Sequence, residues 1–145
     1  MTAPQPHQRR NKIISFTLAG VEFSTQITSW KVSAGIKTGN RVYTYSSAGE
    51  GHNTFVEETD GQPTLQIKFL DDWRISQISD YIWANSMQVA AFTIDHHPDI
   101  VGEHVQVSGS VQVQAHDIGS DSRLTEMADV TWPIMGPLPT YTRIG

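Results

Sequence analysis

The chain has 145 residues, with 10 Lys/Arg against 15 Asp/Glu, a formal net charge of −5, and no cysteine. The lack of thiols excludes a disulfide framework, thiolate metal sites and cysteine nucleophiles. The acidic balance argues against an affinity for nucleic acid built on phosphate neutralisation, and no apolar run approaches the ~20 residues of a membrane-spanning helix.

The length suits one domain. Residues 1–11, with Pro4 and Pro6 among polar side chains, read as a flexible N-terminal arm. It lacks the apolar core of a signal peptide, so the protein is expected to be made and used without secretion by that route. Arg9, Arg10 and Lys12 form a basic cluster, read either as a solvated tail or as a contact for DNA or an acidic neighbour. A single β domain is expected over 12–136. Ile14, Phe16 and Leu18 alternate with Ser15 and Thr17, and Val21, Phe23 and Ile27 alternate with Glu22 and Gln26. Ala19-Gly20 between them predicts a tight hairpin, and the period of two continues through Trp30 and Val32.

A polar arm follows, over about 36–63. It carries Gly49, Gly51 and Gly61, and its acids Glu50, Glu57, Glu58 and Asp60 have no basic partner within Thr44 to Pro63. A short strand is possible at Val42 to Tyr45; the rest reads as unstructured. So long a loop is uncommon in a compact domain and is usually functional or disordered. Tyr43, Tyr45 and Phe55 have little local core to join. They fit an arm folded back on its own domain, or anchors on a neighbouring chain.

TLQIKFL (64–70) alternates as a strand. WRISQISDYIWANSM (73–87) then places Ile75, Ile78 and Ile82 at i, i+3 and i+7, which predicts a helix of three to four turns with Asp72 as N-cap. QVAAFTID returns to strand. HVQVSGSVQVQAH sets Val105, Val107, Val111 and Val113 against Gln106, Ser108, Ser110, Gln112 and Gln114, with a bend or bulge at Gly109. Residues 118–127 read as a turn. ADVTWPIM is a last strand with Ala128, Val130, Trp132 and Ile134 inward; Pro133 places it at an edge or at its end. Residues 137–145 read as a C-terminal tail. The fold class is mainly β: an antiparallel sandwich or barrel with one flanking helix and a long inter-strand arm.

Candidate chemistry is sparse. Asp95, His96, His97, Asp99, Glu103 and His104 are metal-binding types, but their spacing fits no standard motif. Adjacent histidines on a strand point to opposite faces, so His96 and His97 are not expected to share an ion. Asp71-Asp72 reads as capping rather than a catalytic carboxylate pair, and Glu57-Glu58 as a solvated acidic loop rather than a cation site. Trp73, Tyr81, Trp83 and Phe92 fit core packing better than a ligand pocket. No phosphate loop, dinucleotide fingerprint or nucleophile elbow is present. No catalytic, cofactor or metal residue is assigned, and no enzyme activity is expected. The alternative from another class is a small metal-binding β-barrel enzyme or ligand-binding protein using Asp95, His96, Asp99 and His104.

The order of elements resembles a known family. The hairpin, the polar arm, the TLQIKFL strand, SDYIWANSMQVAAFTI with its D-Y-I-W at Asp80 to Trp83, the V-x-G-x-V of Val107 to Val111, and ADVTWPI together resemble the major tail, or tail tube, proteins of long-tailed non-contractile bacteriophages, in an actinobacterial-phage-like branch. The resemblance spans about Ile13 to Met135 and does not extend to either terminal arm. It implies a structural virion protein, assembled in the host cytoplasm as hexameric rings. These would stack into a tube whose lumen passes DNA without specific binding. Its partners would be copies of itself and the tail terminator, tape measure and tail tip proteins of the same virion. A terminator or connector forming one ring is the variant within that class. The resemblance also implies an inter-subunit role for the arm, through Tyr43, Tyr45, His52, Phe55, Glu57 and Glu58. Candidates for the lumen face are Glu22, Ser24, Gln26, Gln106, Ser108, Ser110 and Gln112.

Overall fold

The computed structural model describes residues 2–6, 10, 12–45 and 52–145. The expected hairpin forms from β1 (Ile14–Leu18) and β2 (Val21–Glu22) around Ala19-Gly20. The second strand is shorter than its alternation predicts. A 3-10 turn at Ser24–Gln26 interrupts it, and β3 (Ile27–Ser33) starts afresh on another part of the molecule. Then come β4 (Arg41–Tyr45), β5 (His52–Val56), β6 (Thr64–Leu70), helix α1 (Ile78–Ala84), β7 (Val89–His96), β8 (Val105–Gln112) and β9 (Met127–Arg143).

Among the described residues seven strands join in the order β2-β1-β7-β8-β9-β6-β3, every pair antiparallel. The sheet folds over on itself as a sandwich with one flanking helix. One layer is β2, β1, β7, β8 and the outer half of β9; the other is the first half of β9 with β6 and β3. Between them lie Phe16, Leu18, Phe92, Ile94, Val111 and Val113 from one side and Leu65, Ile67, Phe69, Val130 and Trp132 from the other, with Ile78 and Ile82 of α1 closing one end. Along the strands these residues alternate with outward, mostly polar neighbours, the pattern of a half-buried strand.

Strand β9 belongs to both layers. Met127 to Pro133 pair with β6; Ile134, Met135 and then Thr140 to Arg143 pair with β8. The sequence placed Pro133 at an edge or a strand end. Instead it sits in a central strand, at the point where the partner changes and no ladder donor is required of it. The segment read as a C-terminal tail is largely the outer half of that strand. The register shift against β8 falls at Gly109, where the sequence predicts a bend. A Cβ there would meet the Phe92 ring at 3.2 Å, so glycine lets β8 lie close over the core.

The helix is shorter than expected. It spans seven residues, its N-cap is Gln77 and not Asp72, and Ile75 is 88% exposed. Ser76, in left-handed backbone at φ 63°, breaks the helical path. Asp72 instead accepts hydrogen bonds from the guanidinium of Arg74, which chiefly hold its carboxyl below the usual range, and from the Arg74 backbone N–H.

The arm is not unstructured. Among the described residues β4, where a short strand at Val42 to Tyr45 was expected, and β5 pair only with each other, from Arg41↔Val56 to Tyr45↔His52. Below them the two chains stay zipped: Glu57 N–H donates to Asn40 O (2.9 Å) and Gln62 N–H to Gly35 O (3.1 Å). From Gly35 to Tyr45 the ribbon runs ten residue steps, ~33 Å at strand rise. Close approach in the stalk requires glycine. A Cβ on Gly39 would lie 2.0 Å from Glu57 O, and one on Gly35, itself at φ +59°, 2.0 Å from Gln62 O. Gly39→Ala should therefore open the stalk without touching the body. Hydrogen exchange should show lost amide protection around Asn40 and Glu57, with strand β6 and the melting temperature unchanged; unaltered protection would show that the stalk does not depend on that approach.

Candidate functional site

The structure gathers many of the polar candidates on one face. In the ladder β2-β1-β7-β8-β9, Glu22 lies opposite Thr17, Thr17 opposite Thr93, and Thr93 opposite Ser108. Ser15 lies opposite Asp95, Asp95 opposite Gln106, and Gln106 opposite Thr142; Ser108 faces Thr140. Ser110 and Gln112 continue the row against Ala91 and Val89. Directly opposed residues share a face, and the alternating Phe16, Leu18, Phe92 and Ile94 point into the core. The result is a broad outer surface of Ser, Thr and Gln, with Val89, Ala91 and Met135 at one end. Its register includes the carboxylates of Glu22 and Asp95 and no Lys or Arg. Asp95 Oδ1 accepts from Gln106 Nε2 and lies beside His104 Nε2, both at 3.0 Å.

Ser24 and Gln26 do not join this face. Both fall in the 3-10 turn. Ser24 Oγ accepts the Phe16 N–H (2.8 Å) and donates to Glu22, filling the place of a ladder carbonyl. Gln26 Oε1 accepts the Ile78 N–H (2.9 Å) and its amide donates to Gln77, so it caps the start of α1 from 52 residues away.

The arm candidates are displayed rather than packed. Tyr43 is 57% exposed, Tyr45 99% and Phe55 52%. The register sets Val42 and Phe55 on one face of the ribbon and Arg41, Tyr43, Tyr45 and Val56 on the other, so both faces carry apolar groups. Glu57 and Glu58 are exposed on the stalk. Gly49, Glu50, Gly51 and the side chain of His52 lie outside the described residues. At the root of the arm, Ile36, Lys37, Thr59 and Asp60 face Gly136 and Leu138 of β9 across a cleft of about 630 Å³.

The histidine cluster does not converge. Asp95 faces the polar surface, while His96 turns the other way to meet Trp30 of β3 edge-on at 5.3 Å between ring centroids; Asp99 is exposed. Among the described residues no three acidic or histidine side chains are placed to hold a metal ion. His96 and His97 do not diverge as adjacent strand residues should. His97 has left-handed backbone (φ 53°), and its ring folds back to 3.9 Å from that of His96. Burial, and then the neighbouring His97, push the His96 pKa down.

A buried polar cluster escapes the sequence altogether. Asp71 Oδ1 accepts from Ser79 Oγ (2.8 Å) and from His116 Nε2 (2.9 Å), with the His116 ring between Trp73 (stacked, 5.5 Å), Phe69 and Trp83. Ser79 and His116 both bind the carboxylate, so the order is not that of a nucleophile–base–acid relay. The cluster ties α1 to β6 and to the segment after β8. A 45-residue separation between Asp71 and His116 hides it from local pattern. The trio does what a structural staple does, and the aromatics expected to pack the core partly serve as its lid.

Compared with known protein families and with curated proteins, the chain matches none.

Two outcomes follow from these side chains. Asp71→Ala should cost about 1–3 kcal/mol in denaturant unfolding, because it leaves the buried Ser79 hydroxyl and His116 Nε2 without their acceptor; a loss below ~0.5 kcal/mol would remove the staple role. For His96, the folded pKa lies below the unfolded value near 6.5. The unfolded chain therefore binds the proton more readily. Its contribution is full above that value and is lost as pH falls towards the folded pKa. His96→Phe should reduce the acid-side decline of the melting temperature below about pH 6.5, and an unchanged slope would assign that decline to other groups.

Proposed function

We propose that the chain is the structural subunit of a phage-type tail tube, assembling with copies of itself into stacked rings around a lumen through which DNA passes. The observation that carries the reading is the arm. An isolated two-stranded ribbon is marginal in water, yet this one presents Val42 and Phe55 on one face and Tyr43, Tyr45 and Val56 on the other. A ribbon with no core of its own and apolar groups on both faces is built to be covered by another chain.

The polar sheet face supports the second half of the reading. Neutral Ser, Thr and Gln with the carboxylates of Glu22 and Asp95 would repel phosphate weakly and hold no strand of DNA in place, whereas a basic lining would bind it. Together with the resemblance in the order of elements, these features favour a non-enzymatic virion protein. Its hexameric ring, its terminator, tape measure and tail tip partners, and its place in the tail belong to the same proposal.

The test is assembly. Purified protein viewed by negative-stain electron microscopy across concentration should show rings or tubes with a central channel. A variant lacking residues 41–56, with Asn40 and Glu57 joined by two glycines, should keep the body's melting temperature and form no tubes. The join is short because Asn40 O and Glu57 N already meet at 2.9 Å. Tubes formed without the ribbon would remove the role given to it.

A further inference from the structure

The stalk of the arm and one outer face of the body carry matching, unused charges. On the stalk, Glu57, Glu58 and Asp60 are exposed and make no ion pair within 4.0 Å among the described residues. Glu58 and Asp60 are two residues apart, so in an extended chain they share a side at a spacing of about 7 Å.

Several cations of the body are already engaged: Arg74 pairs with Asp72, and Arg143 donates to the Gly102 and Gly145 carbonyls. Lys31 of β3 and Lys68 of β6 are exposed and make no ion pair among the described residues. The register sets Ser29 opposite Lys68 and Lys31 opposite Gln66. The two ammonium groups are therefore diagonal neighbours on one face, with backbones about 7 Å apart. Asp129, opposite Lys68 on β9, offsets part of this charge but leaves Lys31 untouched. The face is accessible from the side, because among the described residues β3 pairs only with β6 and ends the sheet.

We infer that Lys31 and Lys68 receive the stalk carboxylates Glu58 and Asp60 of a second copy of this chain. The inference rests on the tube-subunit reading and names the surface on which its arm docks. The spacing of the two acids matches that of the two lysines; the lysines sit on paired strands, and the acids lie between the two backbone hydrogen bonds of the stalk, Glu57 N–H to Asn40 O and Gln62 N–H to Gly35 O. Rigid paired strands present the lysines, and the zipped stalk presents the acids. Docking there also lays the stalk along the open edge of β3, which otherwise shows unpaired backbone groups to solvent.

The experiment uses charge reversal in trans. Lys31→Glu with Lys68→Glu should raise the concentration at which assembly begins at least about tenfold, since like charges at a contact cost several kcal/mol. Glu58→Lys with Asp60→Lys should do the same. Both variants should keep the parent melting temperature. An equimolar mixture of the two should assemble again, because each arm then meets a complementary face on the other variant. In a chain without cysteine, Asp60→Cys mixed with Lys68→Cys should give a disulfide-linked heterodimer. A mixture that stays unassembled, while the fourfold variant assembles alone, would place the contact within one chain and overturn the inference. Normal assembly of the lysine variant would overturn it and leave the tube reading standing. Wild-type chains that remain monomeric at every concentration and give no cross-link would overturn both.

Discussion

Strand β9 has to satisfy two layers at once, and the sandwich depends on how it does so. Its first half completes the β6 ladder and its second half the β8 ladder. At the handover stands Pro133, opposite Thr64, and the next residue donates its N–H to Pro63 O at 2.9 Å. A residue with no N–H leaves no orphan donor where a strand turns from one sheet to the other. Trp132 sits one residue earlier, fully buried, with its indole N–H on the Gln114 carbonyl at 2.9 Å. The same short stretch thus fixes the corner and fills the core between the layers.

The helix is held by groups that its own sequence does not contain. Its interior hydrogen bonds are few at seven residues, and helices of that length are not stable alone in water. Gln26 supplies an acceptor for Ile78 N–H from the 3-10 turn, and Asp71 with His116 grips Ser79 from beneath. Ile78 and Ile82 then bury against the sheet. Capping, buried hydrogen bonding and apolar burial act on the same first turn, so the helix forms because the sandwich is present.

Legibility in the sequence follows burial. Strands β6 and β8 alternate apolar and polar residues cleanly, so their positions could be read directly, and β7 was legible as a short apolar run. The arm has no buried face. Its ribbon therefore leaves little period-two signal: the short strand at Val42 to Tyr45 was legible and is β4, whereas β5 reads as loop although the two pair in full register. In the helix the misleading residue was Ile75, whose spacing fitted an apolar stripe but which lies in a bend ended by the left-handed Ser76. Prolines at 133, 137 and 139 masked β9 by suggesting an end where the strand changes partners. Of the candidate surface, Gln106, Ser108, Ser110 and Gln112 were visible as one strand's polar row. That Glu22, Thr17, Thr93 and Asp95 extend it is a matter of register between strands distant in sequence. Ser24 and Gln26 looked like part of the row, but they belong to the turn that ends it.

What the body leaves unfinished all points outward. The core is closed by aromatic and aliphatic side chains, and its buried carboxylate at Asp71 is matched by two donors. The ribbon and the free edge of β3 are not so closed. A two-stranded ribbon opens at small free-energy cost, so any surface that covers it also selects its paired form. Assembly and ordering of the arm would then be one event. The stalk glycines matter to that coupling because they let two chains approach closely enough to stay paired before contact is made. Less ordering is then left to the encounter itself, and binding through a preformed ribbon is stronger than through a loose loop of the same residues.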